Sequence, residues 1–107
     1  MTTALHLTTG QTPDGAPQLT AVGEIDISNC AEFAGALAEA IGPGRRLLVD
    51  LTRVEYLDSA ALAVLFAHAE HVDVRVSPLN EALLTISGLT ALTTVEVVTS
   101  PAEPDPH

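Results

Sequence analysis

The segment "RRLLVDLTRV", residues 45–54, constrains this chain more than any other. Leu47, Leu48, Val49 and Leu51 form a short apolar run bounded by charges, too short for a buried helix and rich enough for a strand. A near-continuous apolar strand implies cover on both faces, which is the habit of parallel sheets. Parallel neighbours need crossover connections, normally helices. The flanking sequence supplies them. "SNCAEFAGALAEAIG" places Cys30, Phe33, Ala34, Leu37 and Ile41 at helical spacing, and "DSAALAVLFAHAE" places Leu62, Leu65, Phe66 and Ala69 on one side of a second helix.

The other segments extend this pattern. "ALHLTT" and "LTAVGEIDI" read as strands joined by "GQTPDGAPQ", whose "PDG" is a turn signal, so they form an antiparallel hairpin. Asn29 followed by Glu32 has capping-box spacing at the first helix, with Ser28 as a competing N-cap, and Gly42-Pro43-Gly44 ends that helix. "VDVRVS" alternates as a strand. "SPLNEALLTISG" reads as a third helix with Ser77 at N-cap, Pro78 at N1 and Gly88 just past its end, and "TTVEVV" is the last strand. The order β-β-α-β-α-β-α-β predicts a single α/β domain over residues 1–99, with a mainly parallel sheet, an antiparallel N-terminal edge strand and about three helices. Residues 100–107, with three prolines in eight positions, are expected to be a disordered tail.

Charge and composition narrow the function. Fourteen acids against four arginines and no lysine give a formal net charge of −10. Such a surface repels phosphate backbones and anionic membranes, so neither nucleic acid nor a membrane is an expected partner. Only 3% of residues are aromatic, so the core is aliphatic. Cys30 has no cysteine to pair with, fits a reducing compartment and reads as a core residue. The longest apolar run, "AALAVLFA", is far too short to span a bilayer. A cytoplasmic, soluble protein is expected.

The residues do not assemble a catalytic or cofactor site. The sequence lacks GxxxxGK(S/T), GxGxxG, CxxC and HExxH patterns. His68 and His71, three apart near a helix end, read as a solvated pair rather than metal ligands. His68 lies nine residues along one helix from Ser59, about 13 Å at roughly 1.5 Å per residue, beyond hydrogen-bond reach. No catalytic residue, metal or cofactor is therefore expected, and the chain does not read as an enzyme. The remaining polar feature is Asp58-Ser59, set between apolar runs at a strand-to-helix junction. A helix cap accounts for it. So does a modification site, because a phosphate on a serine at a helix start faces free N–H groups and the positive end of the dipole.

Three segments in order carry a family resemblance. "AVGEIDISNCAEFAGAL" is similar to the G-E-(I/L)-D strand-to-helix segment of the STAS domain family, the anti-sigma factor antagonists. "LLVDLTRVEYLDSAALAVLF" resembles its central strand, D-S-(S/T)-G-L-G-V motif and second helix, and "LLTISGLTALTTVEVV" its late helix and "SGL" turn. The resemblance implies a binding switch. Ser59 matches the serine that an anti-sigma factor with serine kinase activity phosphorylates and a serine phosphatase resets. The unmodified form binds the anti-sigma factor and frees the sigma factor. Asp26 and Asp58 match the aspartates near that serine, and Asp58, Ser59, Ala60, Ala61 and Leu62 with Asp26 make the implied partner-binding patch. The family's small-Gly-Leu-Gly stands here as Ala60-Ala61-Leu62-Ala63, and Ala61 and Ala63, in place of the two glycines, each favour helix by up to about 1 kcal/mol. The alternative within the family is a constitutive STAS binding subunit or scaffold, for example of a lipid-transport ABC complex, in which Ser59 is a contact and cap residue only.

Overall fold

The computed structural model describes residues 4–99; the tail expected at 100–107 lies outside the described residues. The chain runs β1 (Leu5–Gln11), β2 (Pro17–Ile25), α1 (Cys30–Ala40), β3 (Leu47–Leu57), α2 (Ser59–Ala67), β4 (Val72–Val76), α3 (Pro78–Ser87) and β5 (Val95–Val97). Single 3₁₀ turns follow α2 at Ala69–His71 and α3 at Leu89–Ala91. The sheet order is β1-β2-β3-β4-β5, with β1 antiparallel to β2 and all other pairs parallel. This is the architecture expected from the order of elements. The hairpin turn closes where "PDG" predicts it, Thr12 N–H donating to Ala16 O at 2.8 Å and Gly15 N–H to Thr12 O at 2.9 Å.

One expectation fails. β3 is not covered on both faces. Leu47, Val49 and Leu51 are buried, while Leu48, Asp50 and Thr52 are half-exposed. The cause is topological. Each parallel strand lies directly beside its predecessor, so every right-handed crossover advances the same way and puts its helix on the same face. The buried residues of α1, α2 and α3 (Phe33, Leu37, Ala61, Leu65 and Leu84) join the inward residues of β2, β3 and β4 in one core. The opposite face of the sheet is left uncovered among the described residues.

β3 is long for its surroundings. Its first half, Leu47–Leu51, pairs with all of β4, while its second half pairs only with β2, through two register shifts. Past the end of β4 the buried Asn80 of α3 takes over, donating through Nδ2 to Val54 O at 2.7 Å. Beside the second half of β3, Gly23 holds φ +116° opposite Leu5, where a Cβ would collide with the carbonyl oxygen of Ala4. Only glycine fits that crossing, which gives the "GEID" glycine a backbone reason. At the other end of the sheet Arg46 ties the α1–β3 loop to later elements. It pairs with Asp73 at 2.9 Å and donates to Glu70 O at 2.9 Å and to Thr93 Oγ1 at 3.1 Å.

Helix ends follow the sequence in position but not always in bonding. Gly88 follows α3 in the left-handed conformation, and Pro78 opens it, but Ser77 makes no side-chain cap bond. Cys30 is half-buried at the first residue of α1, packed on the rim of the core rather than inside it. On α2 the buried line is Ala61 and Leu65, continued by Ala69, with Leu62 and Phe66 half-buried beside it.

Candidate functional site

Two loops leave the carboxyl ends of neighbouring strands, Asp26–Asn29 after β2 and Asp58 after β3. Asp58 joins them. Its Oδ1 accepts the Ala61 N–H at 3.1 Å, capping α2, and its Oδ2 accepts the Ile27 N–H at 3.0 Å across the gap to the other loop. The Asp58 backbone repeats the link, with its N–H donating to Ile25 O at 3.2 Å and its carbonyl accepting the Leu62 N–H at 3.1 Å. A carboxylate is the group this needs, since both oxygens must accept an amide N–H, whereas a side-chain amide would turn its own donor toward one of them.

The β2–α1 loop is held from inside. Asp26 Oδ1 accepts the Ser28 N–H at 2.8 Å and the Ser28 hydroxyl at 2.5 Å, while Cys30 N–H donates to Asp26 O at 2.8 Å. Asn29 does not act as the capping-box residue its spacing suggests. It is buried, its Oδ1 accepts the Asp26 N–H at 2.9 Å and its Nδ2 donates to Glu24 O at 3.0 Å. It clamps the end of β2 to the loop, so the side chain bonds backward rather than to the first turn of α1.

Ser59 is the first residue of α2 and is exposed. Its hydroxyl makes no hydrogen bond to any described residue, because Asp58 already supplies the cap. Ala63, one turn along on the same face, is exposed as well. The implied contact residues separate here. Asp26 and Asp58 lie on the two neighbouring loops and Ser59 opens α2 next to Asp58, Ala60 and Leu62 are half-buried, and the Ala61 side chain is fully buried in the core. The Ala61 methyl therefore cannot touch a partner, and only its N–H belongs to the site.

Ile27 is the residue that sequence reasoning missed. It is 79% exposed, yet its amide donates to Asp58 Oδ2 and so carries the side-chain bond between the two loops. An isoleucine between two polar neighbours in "DIS" was the available signal. A second apolar feature lies on α3, where Leu79, Leu83 and Ile86 are exposed along one flank. The four arginines, at 45, 46, 53 and 75, all lie outside the helices, so the helical layer carries acids and no fixed cation among the described residues. Of the histidines, His68 Nδ1 lies 3.0 Å from Val64 O, within its own helix, and His71 is exposed at the end of the 3₁₀ turn. Among the described residues no group of three or more His, Cys, Asp or Glu side chains is placed to hold a metal ion, and no helix is long and apolar enough to cross a membrane.

A sheet in sequential strand order with three helices on one face, and a polar pair at the start of α2, defines a STAS-type α/β domain. Residues 8–98 match the family described as Mlab, STAS domain, and the chain belongs to that family. No curated protein matches the sequence significantly. Among solved structures, the chain is similar to an anti-sigma factor antagonist from Mycobacterium paratuberculosis, with TM-score 0.78 and 22% identity over 87% of this chain and 86% of the other. It is also similar to the anti-sigma factor antagonist SpoIIAA in its unphosphorylated form, with TM-score 0.67 and 14% identity over 91% of each chain. At these identities the likeness is one of fold.

Proposed function

We propose that the chain is an anti-sigma factor antagonist whose binding is switched at Ser59. In its unmodified form it binds an anti-sigma factor with serine kinase activity. That kinase phosphorylates Ser59 to end the complex, and a serine phosphatase restores it. The observation that carries this reading is the state of the Ser59 hydroxyl, exposed at the start of α2 and unbonded among the described residues, while Asp58 does the capping. A serine retained only as a cap would spend its oxygen on the helix. A phosphate here adds roughly −1.5 to −2 charge beside Asp58 and Asp26, enough to repel an acidic contact and to displace an apolar one without unfolding the domain. The solved antagonists of the same fold support the class of partner. ATP belongs to the kinase and not to this chain.

The test is incubation of the full chain with a purified anti-sigma factor kinase from the same genome and ATP, followed by intact-mass measurement. One phosphoryl group is expected on the wild type and none on Ser59→Ala, which keeps its fold and binds permanently. Ser59→Asp is expected to bind more weakly. The Mlab description of the family favours one other reading, a constitutive binding subunit or scaffold. No mass gain, under conditions that modify a control antagonist, selects that reading instead.

A further inference from the structure

The two edges of the sheet are built differently. β5 is three residues long, and its Glu96 is engaged by Arg75 at 3.0 Å. β1 runs seven residues, "LHLTTGQ", without proline, bulge, lysine or acid, the devices that keep an exposed edge from pairing. Its register decides which backbone groups face outward. Glu24 N–H donates to Ala4 O at 3.0 Å and Thr12 N–H to Ala16 O at 2.8 Å, so the intervening even-numbered residues His6, Thr8 and Gly10 exchange bonds with β2. Leu5, Leu7, Thr9 and Gln11 then direct their N–H and C=O groups away from the sheet, and no described residue pairs with them.

Charge selects what can pair there. Of the fourteen acids, thirteen lie at or after Glu24, and the remaining one, Asp14, sits at the hairpin tip near Arg45. The paired strands of the hairpin, up to Gly23, carry no acid in a chain of net charge −10. Two copies can meet along β1 without opposing strand carboxylates. Beside this edge, on the helix side, lies an open groove of about 380 Å³ of mixed polarity, lined by Leu7, Thr9, Pro17, Ala36, Glu39 and Ala40, with Glu39 on α1 rather than on the pairing strand.

We propose that β1 pairs antiparallel with β1 of a second copy, about a two-fold axis at Thr8, to make one continuous ten-stranded sheet. In that register Leu7 opposes Thr9 of the second copy and Leu5 opposes its Gln11. All four outward residues of each strand then exchange hydrogen bonds, about eight bonds in all. The two Thr8 side chains meet at the axis on the uncovered face of the sheet. The Ser59 loops lie two strands away and point in opposite directions in the pair, so the proposal is independent of how Ser59 is read.

Sedimentation equilibrium of the full chain over a wide concentration range tests it, with circular dichroism to confirm folding. The wild type is expected at twice the 11.1 kDa chain mass. Thr9→Pro removes an outward N–H and leaves the β1–β2 ladder intact, and Thr8→Glu sets two like charges face to face; each is expected at the single-chain mass. A mixture of Thr8→Glu and Thr8→Lys is expected to recover the pair. A wild type that stays at the single-chain mass at the highest concentration overturns the proposal. So does a dimer that survives both folded variants.

Discussion

Replacing Asp58 by alanine removes two hydrogen bonds from two different elements at once. The cap on Ala61 N–H is worth about 1 kcal/mol. The bond to Ile27 N–H is assisted by the carboxylate charge but lies at the surface, so it contributes about 1 kcal/mol rather than the larger value of a buried charged pair. Asp58→Ala should therefore lose about 2 kcal/mol, which in a domain of this size lowers Tm by about 8–16 °C. Asp58→Asn keeps one acceptor but turns an NH₂ toward the other amide, so its loss should be about half as great. Urea unfolding of the three proteins measures the free energies, and amide exchange locates them. Both Ala61 and Ile27 N–H groups should lose protection in Asp58→Ala, although Ile27 is 31 residues away in sequence. A loss below about 0.5 kcal/mol, or an Ile27 amide that stays protected, would refute the idea that one carboxylate holds both loops.

Three further outcomes follow from other parts of the molecule. Ala61→Gly should cost about 2 kcal/mol, from helix propensity and a lost buried methyl, while Ala63→Gly, exposed on the same helix, should cost only about 1 kcal/mol; paired thermal melts compare them. Asn80→Ala should cost about 2 kcal/mol by leaving the Val54 carbonyl without its donor beyond the end of β4, measurable as a shift in urea midpoint at unchanged m-value. The hydrogen bond from the Thr12 hydroxyl, with help from the Ala16 amide and Arg45, holds the Asp14 carboxyl below its usual range. Its contribution to the hairpin turn should be fully present above the ordinary carboxylate range and fade as pH falls through the depressed value. A carboxyl chemical-shift titration of Asp14 that shows an ordinary midpoint would contradict this.

Features set by neighbours in sequence were legible before the structure. The hairpin turn, the proline and glycine that bound α3, and the Asp58-Ser59 junction each rest on a few consecutive residues. Features set by distant neighbours were not. Leu48 looks like core in "LLVDL", yet it faces the open side because the topology places every helix opposite. Asn29 and Glu32 have capping-box spacing, yet the Asn29 side chain is drawn back to Glu24 and Asp26. Ala61 and Leu62 are adjacent and both apolar, and only the angle of α2 on the sheet decides which enters the core. At the site, the serine and both aspartates were legible from their motifs, whereas the bond from Ile27 to Asp58 required the two strand ends to be side by side.

Sequential strand order also bears on how the chain acquires its structure. Each strand pairs with the one made just before it, across a connection no longer than one helix and its turns. Only the hairpin pairing is local, because each parallel pairing joins residues 21 to 32 apart in sequence and must close a helix-length connection before it forms, which slows folding. Because nothing in the sheet waits for a late segment to insert between early ones, assembly can proceed outward from the hairpin as the chain is synthesised, with the second half of β3 left open until α3 arrives and Asn80 closes it.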